Sequence, residues 1–229
     1  MGTRIVAIWG SESDTAKNGI KALVKKWDAE KGAKFTIDVM SGDEAAKGGI
    51  ATLKDRYDVI LISTSSYGMG EAPGHYQDFL GALIRAGQAG ETPFEGKQHA
   101  VLGYGDTIYA DTFQNCPRLS DKFMGELGSR RFVQRAEIDA SGDDADQKTP
   151  AEYERWGSEV FSALQKGLPA ADSKPVCEWT VPAGDIVTDG ITDKSFPVVN
   201  LVVGIAVVAL GVGGYFAKQH FFDAESVAF

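Results

Sequence analysis

Five short apolar runs rich in valine and isoleucine recur along the first part of the chain, at Arg4 to Trp9, Phe35 to Val39, Tyr57 to Thr64, His99 to Tyr104 and Arg131 to Ala136. Runs that are apolar at successive positions, rather than at alternate ones, suit strands covered on both faces. Helical patterns separate them. Thr15 to Lys31 places Ala16, Ile20, Leu23, Val24 and Trp27 on one stripe, and similar stripes occupy Tyr76 to Ala86, Arg118 to Leu127 and Glu152 to Leu168. The segment after Val39 is rich in glycine and its helical pattern is weaker. Parallel neighbours need crossover connections, and helices packed on both sides cover the sheet. The pattern therefore predicts an α/β fold, a doubly wound five-stranded parallel sheet complete near Leu168.

Ligands of such sheets bind beyond the carboxyl ends of the strands. There the first, third and fourth strands deliver three loops. Ser11-Glu12-Ser13-Asp14-Thr15-Ala16 directly follows the run Ile5-Val6-Ala7-Ile8-Trp9. It puts hydroxyls and free backbone N–H groups where a strand hands over to a helix, the way a protein holds a phosphate. The plainer alternative is that Ser13 or Asp14 only caps the helix. The second loop is Ser65-Ser66-Tyr67-Gly68-Met69-Gly70, and the third is Gly103-Tyr104-Gly105-Asp106-Thr107-Ile108-Tyr109, with Phe113 shortly beyond. Their glycines allow close backbone approach and their tyrosines offer rings for stacking, although either tyrosine alone has an ordinary packing role available to it. Phosphate and a flat ring together point to a nucleotide, flavin foremost.

The 229 residues carry 23 Lys and Arg against 32 Asp and Glu, a net charge of −9. That balance excludes nonspecific nucleic-acid binding, which rewards clustered basic residues, and suits a basic protein partner. Cys116 and Cys177 form no C-x-x-C pair, so neither a disulfide framework nor a zinc site is indicated and a reducing compartment is expected. Cys116 reads as a small packed residue rather than a redox thiol. His75, His99 and His220 lack metal-ligand spacing, and each reads as a surface or supporting residue; no metal is expected. The first strand begins by Arg4, so no cleavable leader is expected within this numbering, and Val6 spoils the myristoylation pattern despite Gly2.

The expected organisation is a folded domain over 1–168, a linker over 169–195, a transmembrane helix over 196–217 and a short tail over 218–229. The linker holds Pro169, Pro175 and Pro182, and one strand-like piece, Val176 to Val181, around Trp179. Val198 to Phe216 is apolar except for Asn200. Its length of about nineteen residues, at about 1.5 Å each, nearly matches the roughly 30 Å of bilayer hydrocarbon. Lys194 and Lys218 flank it and can snorkel outward. Asn200, Gly204 and Gly211 fall near one face, and Ala209 with Gly213 forms a small-x-x-x-small pair; these either admit a partner helix or reflect the general frequency of glycine in membrane spans. The expectation is a single-pass protein with a C-terminal anchor, inserted after translation, its domain on a reducing side; endoplasmic reticulum, mitochondrial and plastid membranes fit equally.

Taken together, the three loops resemble the flavodoxin-like family, and within it the FMN domains of diflavin reductases of the cytochrome P450 reductase type, over about residues 4–168. Flavodoxin is itself the standard example of FMN at the switch point of a 2-1-3-4-5 sheet, the strand order the resemblance implies. The family's first loop, Ser/Thr-x-Thr-Gly-x-Thr-Ala, is Ser11-Glu12-Ser13-Asp14-Thr15-Ala16 here, which carries phosphate binding onto Ser11, Ser13 and Thr15. Asp14 stands where the family has glycine, and a carboxylate repels a phosphate dianion unless it points to solvent. The second loop is similar to Tyr-Gly-x-Gly-(Asp/Glu)-x-Pro, here Tyr67-Gly68-Met69-Gly70-Glu71-Ala72-Pro73, followed by Gln77-Asp78-Phe79. By resemblance Tyr67 covers one face of the isoalloxazine ring and the Gly68 peptide lies near N5. The third loop is similar to Gly-x-Gly-(Asn/Asp)-x-x-Tyr, with Tyr109 as the second stacking ring and Gly103, Gly105 and Asp106 at the ring edge. Glu12, Ala16, Ser65, Ser66, Met69, Gly70, Tyr104 and Phe113 complete the expected FMN-binding set. Asp139, Asp143, Asp144 and Asp146 match an acidic stretch near the flavin edge, serving either partner docking or solvation.

The resemblance implies an electron-transfer protein, because ring stacking and nearby negative charge disfavour the reduced, anionic ring and lower its potential. With no second nucleotide fingerprint and no room for an NADPH/FAD domain, no catalytic residue is assigned. A donor reductase and a redox acceptor are the expected partners. A second reading stays open, an accessory subunit of a membrane complex, a respiratory one among the candidates, that has weak or lost FMN binding, motivated by Asp14, the glycine-rich helix face and Trp179. A flavin-dependent quinone reductase needs direct NAD(P)H access, for which no residue pattern is present.

Overall fold

The computed structural model describes residues 2–30, 34–141 and 145–168. The valine- and isoleucine-rich runs form the centre of one parallel sheet, with strands β1 (Thr3–Gly10), β2 (Phe35–Ser41), β3 (Val59–Ser65), β4 (Gln98–Gly105), β5 (Arg130–Arg131) and β6 (Ala136–Asp139). The order is β2-β1-β3-β4-β5, and β6 also pairs with β4. Ile5 lies beside Ile37 on one side and Val59 on the other, and Leu61 lies beside Ala100. Alternate strand residues feed two separate cores, as the two-residue side-chain period requires. Val6, Ile8, Ile60, Ile62 and Val101 pack on one face, against Phe79, Leu80 and Leu83 of α4 (Gln77–Gln88) and Leu119 and Phe123 of α5 (Asn115–Glu126). Ile5, Ala7, Val59, Leu61 and Leu102 pack on the other, against Ile20, Leu23 and Trp27 of α1 (Thr15–Asp28) and Trp156 and Val160 of α6 (Ala145–Lys166).

Two expectations are corrected. The fifth strand is not one run over Arg131 to Ala136 but two pieces, β5 and β6, interrupted at residues 132–135. The interruption serves charge: Arg131 and Arg135 both turn to the carboxylate of Asp121 on α5, while Phe132 and Val133 stay in the core. Of the two roles expected for His99, surface or supporting, the surface one is wrong. The residue is fully buried on β4, with Nδ1 2.9 Å from Ser129 Oγ and Nε2 3.1 Å from Asp121 Oδ1, and burial holds its pKa below the usual imidazole value. The weak helical segment after β2 resolves into α2 (Gly42–Ala46), a 3-10 turn at Ile50–Thr52 and α3 (Leu53–Arg56). A capping box between Ser41 and Glu44 starts it.

Among the described residues no helix is long and apolar enough to cross a membrane. The expected linker with its Val176 to Val181 piece, the span over 196–217 and the tail lie outside the described residues.

Candidate functional site

At the carboxyl end of the sheet the loops after β1, β3 and β4 enclose a cleft of about 630 Å³. Its walls carry Glu12, Ser13, Thr15, Ser65, Ser66, Tyr67, Gly68, Tyr104, Gly105, Asp106, Tyr109 and Phe113. Tyr67 and Tyr109 are large side chains left 59% and 54% exposed, on different loops of one cleft. A ring that the fold leaves half in water has apolar surface available to a flat ligand.

The first loop reaches the amino end of α1 without capping it. Asp14 occupies the N-cap position but its side chain makes no capping bond, and the first turn holds no acidic residue. The orphan N–H groups of α1 thus keep their attraction for an anion. Asp14 adopts a left-handed backbone, φ 61° and ψ 0°, a conformation that Asp tolerates better than most residues and that glycine adopts freely. Its carboxylate turns aside to Lys17 Nζ at 3.0 Å, so the charge expected to repel a phosphate is engaged elsewhere. Ser13 Oγ and Thr15 Oγ1 lie 3.1 Å apart, and Glu12 Oε1 accepts the Gly74 N–H at 2.6 Å, which ties the first loop to the second.

The third loop is held from behind by Asp139 at the end of β6. Its carboxylate accepts from the Thr107 N–H at 3.0 Å, Thr107 Oγ1 at 2.9 Å and the Ser141 N–H at 3.0 Å. Partial burial would raise the pKa of this carboxyl, but those donors outweigh it and keep it below the ordinary carboxylate value. Asp139 is therefore a fastening of the loop, not a free member of an acidic patch. Asp143 and Asp144 lie outside the described residues.

Left-handed backbone falls on the first and third loops, and three buried polar atoms on the loops around the cleft make no hydrogen bond. Among the described residues the non-glycine positions with positive φ are Asp14, Ala110 and Gln114, all on the first or third loop. Ser11 Oγ, Glu71 Oε2 and Gln114 Oε1 are buried without a hydrogen-bond partner. A buried hydroxyl with nothing to bond costs stability, and Ser11 lies on the loop that leads into the uncapped amino end of α1.

Six of the expected residues do not line the cleft but support it or stand outside it. Ser11 is buried in the loop, Asp14 faces Lys17, and Ala16 is buried with its carbonyl accepting from Ser63 Oγ. Met69 is 75% exposed, Gly70 is tied to α5, and Gly103 packs against Gln114 and Pro117. Thr112, Gln114, Ile138, Ala140 and Thr149 line the cleft and were not anticipated. Following the third loop through to α5 would have reached Thr112 and Gln114. Thr149, on α6, carries no local signal; its Oγ1 bonds the Asp139 carbonyl, which only the folded chain brings near. Among the described residues no group of three or more His, Cys, Asp or Glu side chains is placed to hold a metal.

A family profile described as Flavodoxin matches residues 8–156. Over 131 residues the chain is 33% identical to a bifunctional cytochrome P450/NADPH--P450 reductase of Bacillus cereus, covering 55% of this chain and 12% of that protein. Over 145 residues it is 30% identical to the sulfite reductase [NADPH] flavoprotein alpha-component of Zymomonas mobilis, covering 62% of this chain and 22% of that protein. The chain thus spans a small part of each of these two relatives. Oxidised flavodoxin 1 from Bacillus cereus superposes with a TM-score of 0.55 at 17% identity, over 73% of this chain and all (100%) of that one, a likeness of fold. Sheet order, cleft position, loop chemistry and profile agree: the chain belongs to the flavodoxin family of FMN-carrying electron-transfer domains.

Proposed function

We propose that this protein is a membrane-anchored electron carrier that holds FMN in the cleft and passes electrons between a partner reductase and a redox acceptor. The observation that carries the reading is the combination, in one cleft, of an uncapped helix terminus beside Ser11, Ser13 and Thr15 with the two half-exposed rings of Tyr67 and Tyr109. The helix N–H groups and hydroxyls hold the phosphate, and the tyrosines flank the ring and exclude water from its faces. Gly68, Gly105 and Asp106 lie along the same walls, the Asp106 carboxylate accepting the Ile108 N–H at 3.0 Å, and their backbone groups are available to the ring edge. When bound, FMN supplies the one- and two-electron chemistry, and the chain supplies orientation and electrostatics.

The relatives' names join an NADPH-dependent reductase to a P450 or to sulfite reduction. By analogy, an NADPH-dependent flavoprotein loads this domain and a second protein discharges it, and the chain's net charge of −9 suits basic docking faces on both. The anchor rests on the hydropathy of 196–217, and the reducing side on the absence of paired cysteine motifs. The competing accessory-subunit reading drew on a repelling Asp14, and the ion pair of that carboxylate with Lys17 weighs against it.

The test is the visible absorption spectrum of the protein purified in mild detergent, before and after adding FMN. Bound-flavin bands support the carrier, and a colourless protein that refuses FMN favours the accessory subunit. A carbonate wash that leaves the protein in the membrane supports the anchor; release into the wash refutes it.

A further inference from the structure

The second loop is fastened to the start of α5 by groups that no resemblance brought forward. Asn115 Nδ2 donates to the Gly70 carbonyl at 2.9 Å, and Cys116 Sγ lies 3.2 Å from the same oxygen. The Cys116 backbone N–H donates to Ser66 Oγ at 3.0 Å. Both residues are fully buried, and burial pushes the Cys116 thiol far above its ordinary pKa, so it stays protonated as a donor.

Between these two attachments the loop is a closed turn. The Tyr67 N–H donates to the Glu71 carbonyl at 2.9 Å, and the Tyr67 carbonyl accepts from Gly70 at 2.9 Å and Glu71 at 2.8 Å. α5 therefore grips the turn near both ends, at Ser66 and Gly70, with Tyr67 and Gly68 between them. Gly70 permits the grip because its φ of +100° suits glycine, and a Cβ there would come within 3.0 Å of Asn115 Nδ2 and 3.2 Å of Thr112 Cβ.

The opposite wall hangs on the same anchorage. Phe113 and Gln114 immediately precede Asn115, and Thr112 Oγ1 donates to the Tyr109 carbonyl at 3.1 Å. One buried contact thus joins the loop bearing Tyr67 to the segment bearing Tyr109 and Phe113. We infer that Asn115 and Cys116 are positioning residues that set the spacing of the two aromatic walls, and through it the affinity and seating of a flat ring in the cleft. This rests on the FMN reading above.

The experiment compares FMN with riboflavin, which has the ring but no phosphate, on the full-length protein in detergent. Dissociation constants come from quenching of flavin fluorescence, and ring seating from the visible circular dichroism of the bound flavin. Loss of one neutral hydrogen bond corresponds to roughly 2- to 12-fold in affinity. Asn115→Leu is expected to weaken FMN and riboflavin by the same factor in that range and to change the dichroism. Cys116→Ala is expected to act in the same direction, and Cys116→Ser, which keeps a donor, to restore wild-type binding. Ser66→Ala releases the other end of the turn without replacing a buried side chain of α5, and is expected to weaken both flavins alike should Asn115→Leu fail to fold. Wild-type affinities and dichroism in Asn115→Leu and Ser66→Ala overturn the inference alone. A loss confined to FMN also overturns it, because the effect then lies at the phosphate. A wild-type protein that binds neither flavin overturns the carrier reading and this inference with it.

Discussion

Replacing Asp121 by asparagine keeps its shape and removes the charge of a buried carboxylate that serves three side chains. Arg131 Nε lies 2.6 Å from Oδ1, Arg135 bonds Oδ2, and His99 Nε2 is 3.1 Å from Oδ1, with the Asp121 side chain only 2% exposed. Burial by itself would raise the pKa of this carboxyl, but the His99 hydrogen bond and the two guanidinium charges outweigh it and bring the value from 3.8 to about 2. Burial lowers the His99 pKa against the pull of Asp121, and its hydrogen bond leads the lowering of the Asp121 carboxyl, with the arginine charges adding to it. At about 1.4 kcal/mol per pKa unit, the difference amounts to roughly 2 kcal/mol of stability at neutral pH. Asparagine also leaves Arg131 buried without its counter-charge, whereas Arg135 keeps Glu137 at 2.8 Å. Breaking a buried pair costs roughly 3–5 kcal/mol, and the surviving partner places this case near 3. For a domain of this size that is a fall in melting temperature of roughly 6–12 °C.

The pH dependence carries the sign of that argument. The folded pKa of Asp121 lies below the unfolded one, so its contribution is complete above about pH 4 and disappears as pH falls towards about 2. His99, also lowered by burial, adds an earlier loss of stability that begins as pH drops below about 6.5, where the unfolded imidazole takes up a proton. Urea unfolding followed by circular dichroism at pH 7.5, 5 and 3 measures both. The part of the gap between wild type and Asp121→Asn that comes from ionisation should be full at pH 7.5 and roughly halved at pH 3. A gap under about 1 kcal/mol at pH 7.5, or one that does not narrow at pH 3, refutes the charge argument.

Four further substitutions address the cleft. Ser11→Ala removes the unpaired buried hydroxyl, so the FMN-free protein should melt unchanged or up to about 1 kcal/mol more stable while FMN affinity falls about tenfold, read by thermal melting and fluorescence quenching. Lys17→Gln releases the Asp14 carboxylate and should raise the FMN dissociation constant at low salt, whereas Asp14→Gly should leave it within about threefold and stabilise the fold by roughly 0.5–1 kcal/mol through relief of the left-handed backbone. Gly103→Ala places a Cβ 2.1 Å from Gln114 Oε1 and 2.7 Å from Pro117 Cβ, and should cost roughly 1–3 kcal/mol in urea unfolding while weakening FMN, because Gln114 lines the cleft.

Patterns of near neighbours along the chain determined much of this protein. The unbroken apolar runs of β1, β3 and β4 specified buried parallel strands, and the stripe Ala16, Ile20, Leu23, Val24 and Trp27 specified the buried face of α1, because each depends only on the period of its own element. The three glycine-, serine- and tyrosine-bearing loops were legible for the same reason, since turn chemistry is local. Tertiary structure decided what depends on residues distant in sequence. Asp121 draws Arg131 and Arg135 inward and so interrupts the fifth strand, which its apolar pattern alone made continuous. His99 is a core residue because Ser129 and Asp121 satisfy both ring nitrogens. Thr149 reaches the cleft from α6, Lys17 turns Asp14 away from the phosphate loop, and Asn115 with Cys116 grips Gly70 across some 45 residues of chain. A period or a turn is set by each residue's neighbours in the chain, whereas these pairings come from closing the sheet and burying polar groups that must then find partners.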